Sequence, residues 1–212
     1  MGQPVETVEP RPLSRKRRQT QERLLDAALD AFAERGFHGA SVEQVCERAG
    51  FTRGAFYSNY SSKTELFIAL YERQTARVLA ALDATSGPPG ELDARDLGTV
   101  VTQFMSDAPQ DRRWFVINYE FALLALRNEA SRRAFAAARK QAWTTFAAHL
   151  TDLLERMGLQ LTVPALDLTR WLFAIYEGGV TQAFVEPELI SPHDISERVN
   201  PLVLASVTRP VA

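Results

Sequence analysis

Apolar residues at Leu24, Leu25, Ala28, Leu29 and Phe32 recur three or four positions apart, the spacing that places side chains on one face of an α-helix. The pattern predicts a long first helix from about Ser14 to Arg35, ended by Gly36. Beyond it the pattern shortens. Ser41 is a good N-cap, and Gln44 three residues on completes a capping box. Val42, Val45, Cys46 and Ala49 give the next helix an apolar face. Ala49-Gly50 stops it, because glycine enters the left-handed conformation of a helix end without steric cost. Phe51 is the apolar plug of the turn. Thr52 caps a third helix, Arg53 to Asn59, and Ser61 or Ser62 caps a fourth, running from Lys63 to about Asp83. Three helix starts in about twenty residues is close spacing, given a mean helix of ~11–12 residues.

The rest of the chain reads as longer helices. Gly87-Pro-Pro-Gly90 marks a loop. Helices are expected near 92–107, 112–127, 130–157, 164–185 and 194–208, with no strand signal among them. Trp143, Phe146, Leu150, Leu153 and Met157 form a seam that must pack against other helices, and Gly158 stops that helix. Pro164 suits a first helical turn. Gly178-Gly179 interrupts an apolar helix, and each glycine costs ~1 kcal/mol relative to alanine there. Close approach of another helix would compensate; a kink or a pocket-lining bend is the other reading. Pro201 lies inside the last helix and predicts a kink or break after Asn200. The organisation expected is a disordered tail at 1–13, a DNA-binding domain at 14–62 and a helical body at 63–212.

Two short helices joined by a tight turn are an ordinary corner of a helical bundle or a helix-turn-helix, whose second helix enters the major groove of DNA. Residue chemistry favours DNA. Thr52, Arg53 and Gly54 stand at the N-terminus of that helix, the end that reaches base edges. Arg53 suits guanine O6 and N7, a contact worth roughly 1–3 kcal/mol of discrimination. Gly54 lets the backbone come close to the duplex. Tyr57 and Tyr60 offer hydroxyls to phosphates, Lys63 a positive charge, and Phe56 belongs to the core. Arg15-Lys16-Arg17-Arg18 is either a solvated first turn or an electrostatic anchor on the DNA backbone.

Gly36-Phe37, Ala40-Ser41-Val42, Ala49 through Tyr57, Asn59 through Lys63, and Leu66-Phe67 together resemble the DNA-binding domain of the tetracycline-repressor (TetR) family, over about residues 15 to 70. The resemblance implies an all-α fold of about nine helices: a three-helix DNA-binding head followed by an effector-binding and dimerisation bundle. It implies a homodimeric transcription regulator, usually a repressor released by a small molecule. The family's contact positions fall on Thr52, Arg53, Gly54, Tyr57, Tyr60 and Lys63, with Ser41 at the start of the preceding helix; Arg17 and Arg18 join them from the basic run. It also implies a cavity in the body, for which Phe104, Trp114, Asn118, Tyr119, Trp143, Phe146, Trp171, Tyr176 and Glu177 are candidates. A dimer seam on the last two long helices would use Trp171, Ile175, Gly178, Gly179, Gln182, Val199 and Leu202.

Charge distribution agrees. Residues 11–63 carry ten Lys/Arg against six Asp/Glu, whereas residues 64–212 carry fourteen against eighteen. A basic head on an acidic body suits a DNA-facing module joined to one that does not face DNA. The single cysteine, Cys46, excludes an internal disulfide and reads as a buried structural thiol. No apolar run reaches the ~18 residues a membrane span needs, and no secretory pattern opens the chain. A cytoplasmic protein without membrane contact is expected. The three histidines are far apart, with neither metal-binding spacing nor a Gly-rich phosphate loop, so no cofactor, metal or catalytic residue is expected. Double-stranded DNA, a second copy of the chain and a small effector are the expected partners. An apolar, aromatic or cationic effector is preferred. A helical ligand-binding or interaction protein that keeps the fold without operator binding is the alternative.

Overall fold

Apolar positions three and four apart become helices almost everywhere they occur. A computed structural model describes residues 15–85 and 112–211, with side chains described to Ala81 in the first segment. The tail at 1–13, the helix expected at 92–107 and Phe104 lie outside them. Eight helices and two short strands are described: α1 (Arg15–Gly39), α2 (Val42–Ala49), α3 (Arg53–Tyr57), α4 (Lys63–Thr85), α5 (Arg112–Arg127), α6 (Glu129–Arg156), β1 (Leu159–Leu161), α7 (Ala165–Val185), α8 (Asp194–Val207) and β2 (Thr208–Pro210). The fold is all-α, with an N-terminal helix-turn-helix and a C-terminal bundle. None of the described helices is long and apolar enough to cross a membrane.

The chain divides into two compact units, a head ending at Leu70 and a body beginning at Tyr71. The head extends into α4 because Leu66, Phe67 and Leu70 are fully buried, together with Leu24, Phe32, Val45 and Phe56. Phe37 meets Phe32 at 5.3 Å and Phe67 edge-on at 5.9 Å. Gly36 does break the helical dihedrals (φ 71°, ψ 163°), but one more turn follows to Gly39. Cys46 is buried, and burial pushes its thiol pKa up.

In the body, α6 packs between α5 and α7, and α8 packs on α7. Leu153, Leu154, Met157, Leu168, Leu172, Leu204 and Val207 form one cluster. Phe146 and Ala142 centre another, against Tyr71, Val78, Phe173 and Tyr176. Two expectations fail here. The chain after the loop was expected to hold no strand, yet β1 and β2 pair antiparallel, Gln160 opposite Arg209. The pairing buries Leu159 in the first cluster while Val211 N–H donates to Gly158 O, groups that a three-residue segment could not satisfy alone. Of the kink or break expected after Asn200, the break does not occur, and α8 runs through Pro201. Proline frees the carbonyl of Glu197, an exposed residue whose oxygen water can serve, and the buried row Ser196, Asn200, Leu204 and Val207 holds the helix down on both sides.

Candidate nucleic-acid interface

The turn between α2 and α3 is built from both ends. Ser41 Oγ accepts from Gln44 N–H at 3.2 Å, while Gln44 Oε1 accepts from Ser41 N–H at 2.9 Å, closing the capping box. At the other end Gly50 is left-handed (φ 69°), Gly50 N–H donates to Glu47 O and Phe51 N–H to Cys46 O. That is the Schellman pattern, which satisfies helix-end carbonyls that would otherwise be orphaned. Arg23 of α1 locks it from outside: its Nη2 donates to Ala49 O at 2.7 Å and its guanidinium lies 4.7 Å from the Phe51 ring centre. Sequence reasoning missed Arg23, because its partners lie 26 residues on and no periodicity links them. Thr52 Oγ1 accepts from Ala55 N–H at 3.2 Å and starts α3. Ser41 and Thr52 therefore shape the motif first, whatever they touch on DNA.

α3 is shorter than expected, ending at Tyr57, with Ser58 as its C-cap. Its underside is Phe56, 0% exposed, and its outer face carries Arg53, Gly54 and Tyr57. Tyr57 is 49% exposed, with Arg53 5.9 Å from its ring centre. Gly54 has an ordinary backbone conformation, and a Cβ there would meet only Thr52 Oγ1 at 3.7 Å. Among the described residues nothing requires glycine at this position. Arg53 Nη1 lies 2.9 Å from Glu43 Oε1 of α2. A backbone hydrogen bond, then the Arg53 charge, hold the Glu43 carboxyl below the usual range. Glu43 is a second residue that sequence reasoning missed. Both side chains are more than half exposed, so the pair is readily broken. Glu43→Gln is expected to tighten binding to DNA of any sequence, read by fluorescence anisotropy. Weaker binding would mean that Glu43 holds Arg53 in its reading pose.

Two expected phosphate contacts change. Tyr60 is only 5% exposed, its ring 6.1 Å from Phe56, so it is a core residue and not a phosphate ligand. The one-turn extension after α3 (Tyr60 N–H to Phe56 O, 2.9 Å) rolls it inward, away from the face of Tyr57. Lys63 Nζ donates to Ala40 O at 2.8 Å and His38 O at 3.3 Å and sits 4.7 Å from the Phe37 ring centre. Burial lowers its pKa. Lys63 is thus a strut on the end of α1, with one ammonium proton left for a phosphate. In the basic run, Arg17 donates to Asn59 Oδ1 and Ser58 O, both at 3.3 Å, and ties the start of α1 to the end of α3. Arg18 is exposed on the same helix.

The body holds a groove of about 700 Å³ between α5 and α6, reached by Arg170 of α7. Of the expected pocket residues, Tyr119 and Trp143 line it. Glu177 sits beside it, Oε1 3.6 Å from Arg139 Nη2, and Tyr119 OH donates to Glu177 O at 3.3 Å. Trp114 packs on Tyr71 at 6.0 Å, and Phe146 and Tyr176 belong to the second cluster. Asn118 Oδ1 is buried with no partner among the described residues. Trp171 does not join them: it is 43% exposed on the outside of α7. Burial raises the Glu177 pKa against the pull of Arg139, and burial pushes the Tyr71 hydroxyl up to about 12. A carboxyl that holds its proton better when folded loses stability as pH rises from the unfolded value of about 4.3 through its raised one. Glu177→Gln should flatten that fall, read as body unfolding midpoints in urea between pH 4 and 7. Parallel curves for the two proteins would remove the assignment.

On α7, Trp171, Ala174, Gly178, Gln182 and Val185 form one exposed or half-exposed stripe, with Ile175 beside it. Leu202 of α8 is 70% exposed, and Val199 is half-buried. The two glycines part company. A Cβ on Gly179 would stand 3.2 Å from Ile195 Cβ, so Gly179 is small to admit α8 of the same chain and leaves the expected dimer seam. A Cβ on Gly178 would meet nothing within 4 Å.

Residues 24–70 match the family model described as bacterial regulatory proteins, tetR family. The transcriptional activator FasR of Mycolicibacterium smegmatis is 34% identical over 59 residues, which cover 28% of this chain and 27% of FasR. The chain thus spans about a quarter of that relative's length. A transcriptional regulator from Rhodococcus superposes with a TM-score of 0.65 at 27% identity, covering 88% of this chain and 97% of its own. SmeT, the repressor of a Stenotrophomonas maltophilia multidrug efflux pump, gives a TM-score of 0.61 at 27% identity in its triclosan complex, covering 90% and 92%. Residues 24–70 thus match the tetR family of bacterial regulatory proteins, and the chain as a whole shares its fold with transcriptional regulators.

Proposed function

We propose that the protein is a homodimeric transcription regulator of the cytoplasm that binds a pseudo-palindromic operator through α3 and leaves it when a small molecule enters the body. The observation that carries the reading is α3 itself. It is packed from beneath by Phe56, fixed by two caps, and bears Arg53, Gly54 and Tyr57 on an open face. Arg53 is the one side chain on that face suited to bidentate base reading, so specificity rests on it, on backbone approach at Gly54 and on DNA shape. Tyr57 and the cations of α1 serve the phosphates, which fix register without reading sequence.

Two recognition helices about 34–36 Å apart would meet successive turns of the major groove. An effector that favours another separation opposes DNA by linkage, typically ~1–3 kcal/mol. α4 carries the chain from head to body without a break, which makes it the covalent route for that coupling. Repression is favoured by the likeness to SmeT, which is named a repressor and is seen with triclosan.

The test begins with selection of bound fragments from genomic DNA, followed by two variants. Arg53→Ala should relax preference at one base pair by about 1–3 kcal/mol. Gly54→Ala should keep or raise the melting temperature, since alanine favours helix by ~1 kcal/mol, yet lower operator affinity about tenfold. Unchanged operator affinity and preference in both would sink the contact assignment. Failure to enrich any fragment would favour a helical ligand-binding protein that has kept the fold alone.

A further inference from the structure

The groove between α5 and α6 has two unlike walls. Leu123 and Leu126 of α5 stand 56% and 79% exposed along one wall, an apolar surface open beside a cavity. The opposite wall carries the cations: Arg132, Arg139 and Lys140 of α6 and Arg170 of α7 stand there beside Phe135, Ala136 and Trp143, and among the described residues no carboxylate lines it. Trp143 joins the cations, with the Arg139 guanidinium 4.5 Å and the Arg170 guanidinium 5.4 Å from its ring centre.

Their charges are unequally balanced. Arg132 is paired closely with Glu129, in two bonds of 2.7 and 2.8 Å. Arg139 and Arg170 hold their carboxylates loosely, Glu177 at 3.6 Å and Asp167 at 3.4 Å. A strong charge-assisted bond is about 2.7–2.9 Å. Lys140 makes no ion pair among the described residues. Two guanidiniums and an ammonium therefore share one end of the cavity with only loose counter-charge. We infer that the groove binds an amphipathic monoanion, a carboxylate on an apolar body, with the carboxylate among Arg139, Lys140 and Arg170 and the body along Leu123 and Leu126.

This rests on reading the body as the ligand-binding unit and narrows the effector to one charge class. It keeps the apolar part of the apolar, aromatic or cationic preference and reverses the cationic part. An organic cation would meet three like charges with no acid among the described lining residues, while a neutral ligand would gain apolar burial alone. A guanidinium fork matches a carboxylate in two bonds, as Arg132 already shows with Glu129. The volume of about 700 Å³ falls within the ~300–1,000 Å³ of small-molecule sites. Glu177, held loosely by Arg139, is the internal competitor that an incoming carboxylate displaces.

The experiment is calorimetric titration of the full chain, without DNA, using decanoate, decan-1-ol and decyltrimethylammonium below their aggregation limits. Decanoate should bind at least about tenfold tighter than either of the others, a gap of about 1.4 kcal/mol. Lys140→Glu and Arg170→Gln should each weaken decanoate by a similar factor without lowering the melting temperature. Leu123→Asp should weaken all three probes. Equal binding of the three, preference for the cation, or decanoate binding untouched by Lys140→Glu would overturn the inference. Operator binding is measured separately. A protein released from its operator only by a cation keeps the regulator and loses the anion site. One that binds decanoate but enriches no DNA keeps the site and loses the regulator.

Discussion

Phe56→Ala is expected to abolish operator binding while leaving the body folded. Phe56 is 0% exposed beneath α3, and truncating a buried phenylalanine costs about 3–5 kcal/mol. The head ends at Leu70, and a unit of that size rarely draws more than about 3–5 kcal/mol from its core. The loss is as large as the whole stability, so the head should unfold. The body is scored independently, because all three tryptophans, Trp114, Trp143 and Trp171, lie beyond Tyr71. Tryptophan fluorescence should keep its unfolding midpoint while circular dichroism loses the helix signal of α1 to α3. A shifted fluorescence midpoint would show that the units do not fold independently. Retained operator binding would show that α3 needs no support from Phe56.

Gly178→Arg should convert a dimer to a monomer, read by sedimentation at micromolar concentration, and lower operator affinity by on the order of 10²–10⁴ as the two half-sites lose their tether. The protomer should be unharmed, because a Cβ on Gly178 meets nothing within 4 Å and arginine is a better helix former than glycine. Its neighbour supplies the contrast. Gly179→Ala places a methyl 3.2 Å from Ile195 Cβ, and this variant should lose melting temperature while staying dimeric. A wild-type protein already monomeric at micromolar concentration would end the dimer reading. A dimeric Gly178→Arg protein would move the interface off the stripe from Trp171 to Val185.

The head was legible because its devices are local. A capping box spans three residues and a glycine stop spans one, so Ser41, Gln44, Gly50 and Thr52 announce themselves in the sequence and appear where expected. What joins those pieces was not legible. Arg23 on the turn, Glu43 on Arg53 and Lys63 on the end of α1 are contacts across ten to twenty-six residues, and no periodicity encodes them. Tyr60 was misread for a related reason: a tyrosine carries both a core ring and a phosphate-binding hydroxyl, and only the turn after α3 decides which one faces inward. In the body, the described helix positions followed from spacing, but the charge of the groove did not. Arg132, Arg139, Lys140 and Arg170 look like solvated helix residues until α7 brings Arg170 beside the same tryptophan as Arg139.

The small β1–β2 clasp sets a timetable. The head's helices find their partners within residues 15–70, and short-range contacts of that kind form quickly as a chain emerges N-terminus first. The body cannot seal the far end of its leucine cluster until Arg209 has been made to lie opposite Gln160. During synthesis, therefore, a nascent chain completes its head well before its body is closed.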